Sequence, residues 1–179
     1  MSDTTYCDDC LWWENYYDGH DPIIFNYSIY RYNEFMKEVI VKWKYRGDYS
    51  LGNMFQSDFV EGFQQAFSFL GKQQASVVPI PLSTDRLQER AFNQSQLLAD
   101  ILPLPRHNVL SRIHSEKQSK KTRKERVETK NPFSVTESLH NPIILVDDIY
   151  TTGTTLRHAA SRLREKGCPR VYTYTLIRG

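Results

Sequence analysis

The sequence predicts an α/β fold, a doubly wound parallel sheet with a short N-terminal appendage. Three observations predict it. Residues 142–147 (PIILVD) form a continuous apolar run, the pattern of a central parallel strand covered on both faces. Leu156, Ala159, Ala160 and Leu163 then fall at i, i+3, i+4 and i+7, one face of a helix that Gly167 ends. Residues 170–177 (RVYTYTLI) read as the last strand. Strand, turn, helix and strand in that order make a βαβ crossover. Ligands of such sheets bind past the C-terminal strand ends.

The upstream elements fit the same plan. Residues 23–31 (IIFNYSIYR) read as a strand. In residues 33–45, Phe35, Met36, Val39, Ile40 and Trp43 stand at helical spacing behind the cap candidate Asn33. Gly47 stops that helix, and Asp48 starts another through about Phe69. Residues 76–81 (SVVPIP) read as a strand ending at Val78 or Pro79, followed by a polar loop, STDRLQERAF. Asn93 caps a short helix with Leu97, Leu98 and Ile101 on one side, and residues 108–113 suggest another strand. Residues 112–130 hold eight basic and three acidic residues, and only Ile113 and Val127 are apolar, so they read as a solvated loop or frayed helix.

A chain of 179 residues suits one domain plus an appendage, divided here as residues 1–21 and 22–179. The first 21 residues carry six acidic side chains and no Lys or Arg, leaving all 23 basic residues against 15 acidic ones in the remainder. A mildly basic domain of this kind is either simply soluble or built for an anion, phosphate or nucleic acid. No apolar run approaches the roughly 20 residues needed to span a bilayer. The acidic start lacks a signal-peptide pattern, so a cytoplasmic protein without membrane insertion is expected. Three cysteines, Cys7 and Cys10 in a C-x-x-C pair and Cys168 far away, do not describe a disulfide framework.

The richest chemistry lies in residues 144–155, a buried strand running into Asp147 and Asp148, then a hydroxyl-rich turn around one glycine, then a helix. Backbone N–H groups of such a turn converge, and the helix N-terminus adds about half a positive charge. Gly153 allows close approach, and Thr151, Thr152, Thr154 and Thr155 add donors without charge. That suits a phosphate monoester. Carboxylates just upstream repel phosphate but accept hydrogen bonds from sugar hydroxyls, so the order acid, acid, anion site reads as ribose followed by its 5-phosphate. Helix capping would explain one acid and one Thr, though not two acids, four Thr and a Gly. Two adjacent acids also suit magnesium. No G-x-x-x-x-G-K-[ST] loop is present.

This segment resembles the signature of the type I phosphoribosyltransferase fold, which binds 5-phosphoribosyl 1-diphosphate with magnesium. The resemblance implies that Asp147 and Asp148 contact ribose hydroxyls and that Thr151 through Thr155 hold the 5-phosphate. Residues 42–52 (KWKYRGDYSLG), residues 78–99 (VPIPLSTDRLQERAFNQSQLLA), residues 146–156 (VDDIYTTGTTL) and the spacing Gln118, Arg126, Asn131-Pro132-Phe133 resemble the ComF family of competence proteins. Together they cover about residues 25–179. That family is implicated in DNA uptake during natural transformation.

Within this resemblance, Pro79-Ile80-Pro81-Leu82 falls where the fold places its diphosphate loop, binding through backbone amides. Arg86 and Arg90 are then candidates for the same anion, because guanidinium forks suit phosphate oxygens; ordinary surface arginines are the alternative. The family usually reads Arg-Gly-Phe-Asn where this chain has Arg90-Ala91-Phe92-Asn93; if that glycine serves a positive φ, Ala91 carries a strain. The basic stretch falls where the fold has a mobile flap. Lys117, Lys120, Lys121, Arg123, Lys124 and Arg126 either close over a diphosphate, or track single-stranded DNA in a salt-dependent way, or are solvated. Lys44, Tyr45, Gly47 and Asp48 either edge the site or end a helix.

ComF relatives usually begin with a four-cysteine zinc module. Here Cys7 and Cys10 supply two of the four ligands that structural zinc takes, so a degenerate or truncated module is expected. Trp12, Trp13, Tyr16 and Tyr17 in that acidic leader are expected to cover apolar surface of the main domain or a partner. Two functions follow. One is a competence protein whose sugar-phosphate pocket accompanies binding of single-stranded DNA or of partners such as a helicase. The other is a magnesium-dependent transferase passing phosphoribose to a nitrogen acceptor. The second needs an acceptor hood, which the sequence does not reveal after the last strand and which the N-terminal third would have to supply.

Overall fold

The computed structural model describes residues 8–45, 49–70, 74–112 and 130–179. In chain order the regular elements are α1 (Asp8–Tyr16), β1 (Asn26–Arg31), α2 (Glu34–Tyr45), α3 (Gln56–Phe67), β2 (Ser76–Pro79) and α4 (Thr84–Arg90). There follow α5 (Gln94–Asp100), β3 (Leu110–Arg112), β4 (Phe133–Val135), β5 (Ile143–Tyr150), α6 (Thr154–Glu165) and β6 (Val171–Arg178). Four strands form a sheet in the order β1-β6-β5-β2, and every pairing in it is parallel. β3 and β4 make a separate antiparallel pair.

Helices cover both faces, as the apolar run of β5 requires. Ile143 through Val146 are fully buried. On one face Ile144, Val146, Tyr174 and Leu176 meet Trp43 of α2, Phe59 and Phe63 of α3 and Leu98 of α5. On the other, Ile143, Leu145 and Val171 meet Leu156, Ala159, Ala160 and Leu163 of α6. Non-directional burial of this kind dominates the stability, about 1.5–3 kcal/mol for each large side chain removed from water. The polar residues of β6 are matched rather than exposed. Thr175 shares a hydrogen bond with Ser28 at 2.7 Å, and Thr173 donates to Asn26 at 2.8 Å.

Both predicted caps form. Asn33 accepts from the Met36 N–H at 2.8 Å, and Asn93 accepts from the Ser95 N–H at 3.0 Å. Four expectations change. Phe35, although at helical spacing, is 64% exposed. The helix expected up to Phe69 is divided into a 3-10 segment, Tyr49–Phe55, the helix α3 and a second 3-10 turn, Ser68–Leu70. Gly52 there lies against the Trp43 ring, where an added Cβ would sit 3.3 Å from it. The polar loop after β2 is helix α4. Its only large apolar side chain, Leu87, is exposed, so hydrophobic periodicity gave no signal. The strand near 108–113 is the short β3, and its partner β4 was not anticipated.

Ala91 terminates α4 with φ +64°, the left-handed conformation that glycine adopts without strain. Ala91→Gly is therefore expected to stabilise the protein by roughly 1 kcal/mol, after allowing for the extra freedom glycine gives the unfolded chain. A thermal melt should show a rise of about 2–4 °C. No rise would mean that the strain is relieved elsewhere.

Candidate phosphosugar site

The C-terminal end of β5 carries the two carboxylates into a cleft of about 240 Å³. Its walls include Asp147, Asp148, the whole turn Thr151 through Thr155, Ile80, Pro81, Arg86 and Arg90. Residues chosen from separate stretches of sequence thus share one cavity. Pro79 is not on that wall; it closes β2, paired with Val146. The basic residues Lys117, Lys120, Lys121, Arg123, Lys124 and Arg126 lie outside the described residues, as does Cys7; Cys10 is exposed on α1.

The turn has the expected form. Gly153 precedes α6 with φ +75°, and its carbonyl accepts the first helical bond, from the Arg157 N–H at 3.0 Å. Thr152 and Thr154 share a hydrogen bond at 3.0 Å. The loop after β2 departs from expectation. Pro79 and Pro81 have no N–H, and the Ile80 N–H is given to the Val146 carbonyl at 2.9 Å. Of Pro79-Ile80-Pro81-Leu82, this leaves only the Leu82 N–H to offer a ligand, and Leu82 lines the cleft. Asn93 ties the loop down by donating to the Ile80 carbonyl at 3.0 Å.

Four cationic side chains also line the cleft, those of Lys44, Arg86, Arg90 and Arg112. Arg90 is only 8% exposed and donates to Gln94 at 3.2 Å, so it is not an ordinary surface arginine. Arg86 is exposed at the cleft. Arg112 was not selected from the sequence, whereas Lys44, left there as either edging the site or ending a helix, does line the cleft. Arg112, at the end of β3, has a buried Nε with no hydrogen-bond partner among the described residues. Burial, followed by the charge of Arg86, holds its pKa below the ordinary value, and Asp147 only partly offsets this. Lys44, from α2, forms a largely buried ion pair with Asp148. Its segment belonged to the ComF resemblance, and the tertiary fold brings it to the carboxylates.

The two carboxylates differ. Asp147 accepts from the Ser95 hydroxyl at 2.8 Å and from the Asp148 N–H at 2.9 Å. Burial, then the charge of Asp148, still pushes its pKa up to about 7. Burial also pushes Asp148 upward, but Lys44 and then Arg90 more than offset this and hold it below the usual carboxylate range. The surroundings thus favour the ionised form of Asp148 and disfavour that of Asp147. Ser95 was a missed residue too. Only its position, two residues after the Asn93 cap, distinguishes it in the sequence.

The leader packs beneath this site. Trp13 is fully buried, and its Nε1 donates to the Thr152 carbonyl at 2.8 Å. Asp21 accepts from Arg157, and Asp9 from Arg178. The aromatic leader therefore covers the main domain, as expected for Trp13.

A phosphoribosyl transferase domain model matches residues 88–179. The competence protein ComFC of Bacillus subtilis is 42% identical over 96% of this chain and 72% of that protein. The ComFC of Streptococcus pneumoniae is 32% identical over 98% and 76%, respectively. A hypoxanthine phosphoribosyltransferase from Staphylococcus aureus aligns structurally with a TM-score of 0.41 and 15% identity over 71% of this chain and 64% of its own, too remote to argue from. With two adjacent carboxylates and a threonine turn inside the matched region, the chain belongs to the ComF family of competence proteins, built on a phosphoribosyl transferase domain.

Proposed function

We propose that the cleft binds phosphoribosyl diphosphate together with magnesium, and that this cytoplasmic protein acts in DNA uptake through single-stranded DNA or a partner of the competence machinery. The observation that carries the ligand is the meeting, in one cavity, of the Asp147–Asp148 pair, the turn opening α6 and three arginines. The turn suits the 5-phosphate, the carboxylates suit the ribose hydroxyls, and Arg86, Arg90 and Arg112 suit the diphosphate. Among the described residues no cluster of three His, Cys, Asp or Glu is ready to hold a metal. The two carboxylates still fit magnesium, which takes one or two protein carboxylates and completes its shell with phosphate oxygens and water. When bound, that ion neutralises diphosphate charge. The chain's own part is to orient the sugar and to keep Asp148 ionised through Lys44. No described helix is long and apolar enough to cross a membrane.

Titration calorimetry with phosphoribosyl diphosphate and magnesium tests the reading. Saturable binding is expected, competed by both ribose 5-phosphate and pyrophosphate; no heat from any of the three would remove it. Neutralising Lys120, Lys121, Arg123 and Lys124 should weaken single-stranded DNA binding and flatten its salt dependence, by roughly 0.7 in log–log slope per lost contact. The match to a phosphoribosyl transferase domain favours a second reading, transfer to a nitrogen acceptor. Pyrophosphate release in the presence of a base would establish it.

A further inference from the structure

The leader helix α1 meets the turn at a single peptide group. Trp13 Nε1 donates to the carbonyl of Thr152, 139 residues away, and Trp13 is fully shielded from solvent. No cis peptide bond is present among the described residues, so this peptide is trans and planar. In a trans peptide the C=O and the following N–H point in opposite directions. Holding the Thr152 oxygen on the buried side therefore turns the Gly153 N–H toward the opposite side, where Gly153 lines the cleft. No described residue accepts from that N–H.

Trp13 is itself held from its other face. The Arg157 guanidinium lies 4.1 Å from its ring centre, a cation–π contact. Arg157 donates to Asp21 Oδ2 from Nε at 3.0 Å and from Nη2 at 2.6 Å, and from Nη1 to the Tyr150 hydroxyl at 2.7 Å. Asp21 is anchored in turn by the Ile23 N–H at 2.9 Å. Arg178 adds a second tie, donating to Asp9 at 2.9 Å while its guanidinium lies 4.1 Å from the Tyr150 ring centre. Two acidic residues of the leader thus bind two basic residues flanking the turn.

We propose that the leader is a strut for the anion site, in which Trp13 is a positioning residue that aims the Gly153 N–H at the phosphate monoester of the ligand. This rests on the phosphosugar reading of the cleft. The strut acts on the monoester end alone, because the arginines that face the diphosphate lie on α4 and β3.

Trp13→Phe keeps an aromatic ring under Arg157 and removes the donor. Calorimetry with ribose 5-phosphate and with pyrophosphate, on wild type and variant, should show a roughly tenfold loss of ribose 5-phosphate affinity and unchanged pyrophosphate affinity. A purely structural role would weaken both ligands together. Equal losses, or no loss, would overturn the strut. If wild type binds neither ligand, the phosphosugar reading fails, and the strut is judged on the NMR order parameter of the Gly153 amide. Removing the Trp13 donor must then lower it clearly below the wild-type value; an unchanged value overturns the strut. Should Trp13→Phe not fold, Asp21→Asn replaces it, with the same selective loss expected at smaller size and the same outcomes decisive.

Discussion

Asp148→Ala is expected to cost roughly 3–5 kcal/mol of stability and to abolish binding of phosphoribosyl diphosphate, whereas Asp147→Asn should leave the fold intact. The asymmetry follows from Lys44. Its side chain is 14% exposed and paired with Asp148, so deleting that carboxylate strands a buried ammonium. Among the described residues no cation forms an ion pair with Asp147, and the charge of Asp148 acts on it more strongly than that of Lys44. Asparagine retains an oxygen for the Ser95 hydroxyl and removes the repulsion. Urea denaturation of the two single variants would show the difference. Equal destabilisation would mean that the Lys44 pair is not what holds Asp148 ionised. The double change, Asp147→Ala with Asp148→Ala, should lower phosphosugar affinity at least roughly a hundredfold, since charged hydrogen bonds contribute about 1.5–3 kcal/mol each.

The same pair predicts a pH dependence. The unfolded chain releases the Asp147 proton near pH 4, but the folded protein keeps it to about pH 7. Between those values the native state binds more protons, so this group's contribution to stability falls as pH rises from about 4 to about 7. Asp148, with its pKa lowered, contributes in the opposite sense, and its share is lost only as pH falls below about 4. Asp147→Asn should therefore flatten the stability profile between pH 4 and 7. Ribose and magnesium favour the ionised form, so ligand binding near pH 6 should release a proton in wild type beyond that released by the variant. Calorimetry in buffers of different ionisation enthalpy reads this directly.

Gly153→Ala is the second large effect, a loss of roughly 3–4 kcal/mol. At φ +75° a Cβ costs about 1–2 kcal/mol by itself. Here it would also lie 2.3 Å from the Tyr150 hydroxyl and 2.4 Å from Arg157 Nη1, adding about 1–3 kcal/mol of overpacking. Those two groups belong to the network that holds Trp13, so the substitution disturbs the turn from below. Gly19 provides the control. It has φ +76°, but the nearest contact of an added Cβ is the Glu14 carboxylate at 3.8 Å. Gly19→Ala should lose only about 1 kcal/mol. Equal losses at the two glycines would show that the crowding beneath the turn relaxes freely.

Much of this architecture was legible because local pattern and tertiary role coincide. An apolar run bounded by acids can only be a covered strand, and Leu156, Ala159, Ala160 and Leu163 can only be buried together on one helix face. The order of acids, threonines and glycine is contiguous, so its chemistry survives translation into sequence. Helix α4 was not legible, because its one large apolar side chain, Leu87, is exposed and it buries only Arg90.

By itself the sequence determined the parallel sheet, the helix caps at Asn33 and Asn93, and the convergence of carboxylates with a phosphate-sized turn. Only the tertiary structure decided that Ser95 and Arg112 join that turn, that Lys44 pairs with Asp148 and not Asp147, and that Trp13 supports Thr152 from the leader. The reason is physical. Backbone periodicity is a short-range property written in neighbouring residues, whereas burial, ion pairing and the pKa values they set arise between side chains that chain folding alone brings within a few ångströms.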